Sequence, residues 1–465
     1  MSTHSQNSAP DTRPAPRQGA EPGAPEGRLG VAVAATTAGG AGEGSAAVSP
    51  APASSPGGSP PTSRDPARSA VPEVPGDWRM ARRLWPFLLA SAVSLIPFTV
   101  FGMYLVPIAG AAGGNVAEIG GLRGLGGLAA LVVGFSLAPL IDRMARELVA
   151  AGGLALLGIS AALGAVGNVF ALAAFCLLIG ASTSILGPSI GAAAADRFSS
   201  PAAAGRAATL VSATTSAMAM LAAPLLAVPG MLWGWRGNLL AASAVSLALS
   251  AAFFWRGRGR KSPLRADGGQ RMSYLATYRE LARVPGALPL LVVAMLRTAA
   301  FMGYLAYLAA FYDETFDLAP GWFALVWSLS GASFFLGNLL AGRYIALERP
   351  WIGPEKMLLI GLAVALTSVA AFYFSPTLPL TLLLTALMGA SHATVAACVT
   401  TLLVRRSGDL RGSALSVNAA GMSLGTFLGA ALGGLGLGLG GYPGTALTFA
   451  SITLIAVLFA LRVRR

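Results

Sequence analysis

The sequence predicts an all-α multi-pass membrane protein, with twelve transmembrane helices in two six-helix halves and both termini cytoplasmic. Three observations predict it. Of 465 residues only 11% are charged and 55% are hydrophobic, whereas a soluble domain carries roughly 25% charged residues. From Trp85 onward the apolar residues fall into runs of membrane-crossing length, which is about 20 residues. The positive charges then alternate from loop to loop: one side holds 24 Lys and Arg, the other only Arg123 and Arg236. Basic loops resist translocation, so the rich side is cytoplasmic. A span missed or invented would scramble that alternation from its position onward.

Residues 1–78 come first, a stretch of Pro, Ala, Gly, Ser and Thr. Such a segment buries too little apolar surface to offset its ordering entropy, so it is expected as a disordered cytoplasmic tail. Its longest apolar run, Val31 to Ala35, is too short for the core of a secretion signal. The N-terminal half, 79–255, holds spans at 85–108, 121–141, 148–167, 169–194, 208–229 and 237–255. A basic cytoplasmic loop, 256–285, carries eight Lys and Arg against Asp267 and Glu280. Within it Tyr274, Tyr278 and Leu281 recur at helical spacing, which fits a short helix lying in the membrane interface. The C-terminal half, 286–465, holds spans at 287–312, 321–341, 356–374, 378–404, 413–439 and 443–461.

Composition also excludes several functions. A net charge of +13 and a pI near 10.6 would suit a nucleic-acid binder. Here the charges flank membrane-length runs, so the lipid bilayer is the expected partner and nucleic acid is not. The two cysteines, Cys176 and Cys398, lie inside apolar runs, and the two histidines are His4 and His392. That inventory offers no metal site, no disulfide framework and no nucleophile with its base. No phosphate-binding GxxxxGK[ST] loop is present, which argues against an ATPase. The expectation is a protein that is not an enzyme and needs no cofactor. Arg outnumbers Lys thirty to two, a bias that fits a GC-rich bacterium and its plasma (inner) membrane.

The halves repeat. Arg206 opens the fifth span and Arg411 the eleventh, while the loop after span two, Ala138-Pro-Leu-Ile-Asp142-Arg143-Met-Ala-Arg146, corresponds to Gly342-Arg343-Tyr-Ile-Ala346 after span eight. With this loop, the six-plus-six topology and the basic central loop, residues 80–465 resemble the major facilitator superfamily. The match to that family's Gly-x-x-x-Asp-Arg-x-Gly-Arg loop is partial: Asp142, Arg143 and Arg146 stand in place, but Ala138 and Ala145 replace glycines and Ala346 replaces the acid of the second copy. The marks of the drug-antiporter branch are absent, with Ala223-Pro224 for Gly-Pro on span five and no arginine on span four.

The resemblance implies a secondary active transporter that moves a small organic molecule by alternating access, as an ion-coupled exporter and a monomer. Two alternatives stay open, an importer of a small organic anion and a non-transporting scaffold or sensor. Asp142, Arg143, Arg146, Arg206 and Arg411 would gate the halves. Small residues recur at a spacing of four on spans two (Gly126, Ala130, Gly134, Ala138), five (Ala219, Ala223, Ala227), eight (Ser333, Gly337, Ala341) and eleven (Gly421, Gly425, Gly429, Gly433). Such ladders let backbones approach closely in lipid, and the resemblance assigns these four helices to the contact between halves.

No Asp or Glu lies inside any expected span. Two ionisable residues do lie deep: Arg297, roughly 13 Å into span seven, and His392, about 18 Å into span ten, at 1.5 Å per residue. A buried arginine costs about 2.5–3.5 kcal/mol even on the insertion scale, so it should face a cavity or a partner. The resemblance places spans one, four, seven and ten around the central cavity, with Thr99, Tyr104, Ser182, Ser184 and Tyr304 as further substrate candidates. Arg297 would meet an anionic group, and His392, which titrates near neutrality, would carry a coupling proton.

Overall fold

The computed structural model describes residues 76–141, 144–258, 274–347 and 350–463; residues 1–75 of the proposed tail, half of the basic loop (259–273), Asp142 and Arg143 lie outside them. All the regular elements there are helical: α1 (Asp77–Ser94), α2 (Ile96–Met103), α3 (Leu105–Ala112), α4 (Val116–Ile141), α5 (Arg146–Val166), α6 (Val169–Ala195) and α7 (Pro201–Gly257) precede the central loop. After it come α8 (Tyr274–Arg283), α9 (Ala287–Phe316), α10 (Pro320–Ile345), α11 (Pro354–Phe372), α12 (Leu378–Ser407) and α13 (Arg411–Val463). Among the described residues ten helices are long and apolar enough to cross a membrane.

Boundary chemistry sets the element ends. Asn168 accepts the amide of Ala171 at 2.8 Å and caps α6, satisfying a donor that the first turn leaves free. Prolines open α7, α10, α11 and α12, where their missing N–H costs nothing.

Two helices are too long to run straight. α7 has 57 residues and α13 has 53, which at about 1.5 Å per residue would overrun a hydrocarbon core of about 30 Å more than twofold. Each is broken by a glycine in the left-handed region, Gly234 at φ 67° and Gly441 at φ 60°, a conformation that costs glycine little. The chain reverses there. Asn238 Nδ2 donates to the carbonyl of Leu226, twelve residues earlier, at 3.1 Å, a reach that a continuous helix forbids. Both breaks fall in the gaps expected between spans, 230–236 and 440–442. The amphipathic α8 sits where an interfacial helix was expected, with Leu281 buried against Ala287 and Ala414.

By chain order the helices on either side of the central loop form two sets, α1–α7 and α9–α13. Most of the basic residues of each set lie at one end. In the first set Arg146 pairs with Asp196 at 2.6 Å and Arg197 with Glu147 at 2.6 Å. In the second Arg406 pairs with Glu355 at 3.2 Å and donates to the Val463 carbonyl at 3.0 Å. We call this the basic end.

Candidate functional site

The sets meet through α4 against α13 and α7 against α10, and small residues make the approach possible. A Cβ on Gly124 would stand 2.9 Å from the Phe427 carbonyl oxygen, and one on Gly127 would stand 2.5 Å from that of Ser423. A Cβ on Gly331 would lie 2.8 Å from the oxygen of Ala219, and one on Gly434 2.8 Å from that of Ala117. Tyr307 of α9 fills the space left by Gly120, Gly433 and Gly434, and its hydroxyl donates to Ala430 at 2.8 Å. These contacts run from the end opposite the basic one to about mid-height. Toward the basic end the same four helices carry Gly134, Gly205, Gly342 and Gly412, and a Cβ on any of them would meet nothing within 4 Å. Among the described residues, the glycine contacts between the sets thus lie toward one end.

The expected role of the span-eleven ladder needs correction. Gly425 and Gly429 back onto the carbonyls of Met295 and Ala299 on α9, within the second set, and Gly421 looks the same way. Gly433 meets Phe449 and Tyr307. The face of α13 that meets α4 is the one with Ser423, Phe427 and Gly434. On α4, Gly126 likewise backs onto Cys176 and Gly180 of α6, and Gly337 of α10 onto Ala390 of α12. A period of four follows one face of a helix, and here that face seats the inner helices of the same set.

Two of the expected cavity groups are Arg297 and His392. Both are buried on α9 and α12. Among the described residues the only hydrogen bond of Arg297 runs from Nη2 to the Thr298 hydroxyl at 2.9 Å. The His392 ring stacks on Phe301, with centroids 5.0 Å apart, and neither of its nitrogens meets a partner there. Tyr304 donates to Thr385 of α12 at 3.1 Å, a hydroxyl that Tyr312 also engages at 2.9 Å.

The remaining candidates turn elsewhere. Ser182 donates to the Gly153 carbonyl of α5 at 2.8 Å, so it fastens α6 to its neighbour. Thr99 and Ser184 bond to carbonyls of their own helices, Leu95 at 3.0 Å and Ala181 at 2.9 Å. The Tyr104 hydroxyl packs into the space left by Gly230 on α7. Of the gating group, Arg146 is held by Asp196, while Arg206 and Arg411 stand exposed in the first turns of α7 and α13.

Sequence reasoning missed Arg123. Read as a residue at the outer mouth of a span starting at 121, it lies two turns inside α4, which begins at Val116. Its side chain is 5% exposed. The guanidinium carbon lies 3.7 Å from the Phe98 ring centroid, and Nη1 donates to the Leu305 carbonyl of α9 at 3.3 Å. Nε and Nη2 are enclosed by protein and meet no acceptor among the described residues. Placing the start of the span at 121 rather than 116 hid the burial.

Comparison with known proteins agrees with this architecture. The sequence profile described as Major Facilitator Superfamily matches residues 87–352 and 347–465, so the chain belongs to that superfamily and is a multi-pass membrane protein of the transporter fold. No curated protein matches it by sequence. A solved bacterial homolog of the human lysosomal transporter Spinster, in an inward-facing and occupied conformation, superposes with a TM-score of 0.68 at 16% identity, over 84% of this chain and 98% of that one. The nucleoside transporter NupG gives 0.66 at 14% identity, over 82% and 99%. The E. coli fucose:proton symporter FucP gives 0.53 at 16%, over 83% and 98%. At these identities the likeness is one of fold.

Proposed function

We propose that the protein is a secondary active transporter that carries a small organic molecule by alternating access between two six-helix halves, residues 79–255 and 286–465. Counting α7 and α13 as two spans each makes twelve, and the alternation of basic loops then puts both termini on the cytoplasmic side of a bacterial inner membrane. The observation that carries the reading is the one-ended closure. Among the described residues, helices α4, α7, α10 and α13 press together through glycines toward one end, while their glycines nearer the basic end, Gly134, Gly205, Gly342 and Gly412, make no such contact. In a rocking pair of halves this is the state open toward the cytoplasm, with Arg297 and His392 set between the two ends. Base rates within the family favour ion-coupled export, with His392 as the proton carrier.

A second reading, uptake of a small organic anion, is favoured by one observation. Arg297 is permanently charged, and among the described residues it bonds only to Thr298, so a carboxylate or phosphate on the substrate would complete its donors. Flux of candidate solutes into proteoliposomes, with and without a proton gradient, tests both. Flux with no dependence on any gradient or counter-solute would refute secondary active transport.

A further inference from the structure

Arg123 differs from the paired arginines of its helix set. Arg146 and Arg197 are paired with acids at the basic end. Arg123 is buried where α2, α4 and α9 converge, with Trp327 of α10 against Gly102 beside it. One of its nitrogens reaches Leu305, across the junction between the sets. Phe98 supplies a ring face, which holds a desolvated guanidinium well. That leaves Nε and Nη2 enclosed without an acceptor among the described residues. A buried donor without a partner carries its full desolvation cost, and for a cation that cost exceeds what one carbonyl and one ring return. Separating the sets at this end would admit water to all five donors of the guanidinium.

We infer that Arg123 is a positioning residue that weakens the closed end, so that the transporter does not rest permanently in the state seen here. The glycine contacts and Tyr307 hold that end shut; Arg123, stacked on Phe98 and short of acceptors, opposes them. The two together keep the states close in free energy, which alternating access requires. The inference rests on the alternating-access reading and adds to it the residue that sets the balance.

The test is a cross-link over the closed end. A Cβ on Gly438 would stand 3.9 Å from that of Ala117, inside the roughly 3.5–4.5 Å that a disulfide spans. The full-length chain carries Ala117→Cys and Gly438→Cys, with Cys176→Ala and Cys398→Ala, and is oxidised in membrane vesicles. Arg123→Met, which keeps the bulk and removes the cation, should form the cross-link about tenfold faster, the scale set by an unsatisfied buried donor. Arg123→Gln, which keeps polarity and serves if the Met variant is lost from the membrane, should move the rate in the same direction. Slower or unchanged cross-linking in both would overturn the inference, because a latch or a merely structural arginine loosens the end when removed. If the parent pair never cross-links, the closed end itself is refuted and the transport reading falls with it.

Discussion

Ser328 on α10 donates a 2.9 Å hydrogen bond to the carbonyl oxygen of Met220 on α7. The two residues belong to different helix sets, and three residues further on Gly331 lies against Ala219 and Met220 with almost no space between backbones. Replacing Gly331 by Leu puts a side chain where Ala219 already stands, and overpacking of this kind costs about 1–3 kcal/mol. In the proposed alternating-access cycle the strain falls on the closed state alone, because the contact would disappear when the sets part. Gly331→Leu is therefore expected to insert and fold, to lose transport by about tenfold or more, and to slow the 117–438 cross-link. Normal flux would mean that this contact is not remade in the cycle.

The ladder on α13 makes a contrasting case. Gly425 and Gly429 press on Met295 and Ala299 inside one set, a contact kept in every state of a rigid-body cycle. Gly425→Leu and Gly429→Leu should lower thermal stability by an amount equivalent to about 1–3 kcal/mol without changing the ratio of the two states. A shift in the cross-linking rate at unchanged stability would show that α9 and α13 slide during transport.

His392 gives a prediction about pH. Its ring is buried and stacked on Phe301. If it carries the coupling proton, His392→Gln should flatten the dependence of flux on pH while leaving ligand binding in place. A preserved pH profile would remove His392 from the coupling step.

Deletion of residues 2–75 should leave membrane insertion and flux within twofold of the full chain, because α1 starts at Asp77 and Arg79, Arg82 and Arg83 remain to orient the first span. Loss of insertion would give the tail a structural role.

The fold was legible because membranes impose two rules on sequence, a minimum apolar length and an asymmetry of charge. Both act on every span, so even the reversals at Gly234 and Gly441 fell in expected gaps. The site was legible only in part. Arg297 and His392 stood out because a charge or an imidazole inside an apolar run has few structural excuses. Ser182 and Thr99 did not reward the same reasoning, since a hydroxyl in a helix can satisfy itself on a nearby carbonyl, as both do. A period of four reports that a helix face is smooth, yet says nothing of which neighbour uses it, and so Gly425 and Gly429 were assigned to the wrong contact. Arg123 lay hidden because glycines blur the start of a span, and a shift of five residues moves a side chain from the mouth of a helix into its interior.

What the transporter carries turns on Arg297, which under the second reading receives the charge of a small anionic substrate. The direct test is thermal stabilisation of the purified full-length protein by small organic anions, cations and neutral solutes, read in parallel on the native chain and on Arg297→Ala. A ligand at 100 times its Kd stabilises by about 2.7 kcal/mol, well within reach of such a measurement. The account predicts that at least one carboxylate or phosphate compound stabilises the native chain and fails to stabilise Arg297→Ala, with Arg297→Lys in between. Stabilisation only by cations or neutral solutes, or equal stabilisation of Arg297→Ala by an anion, would contradict it.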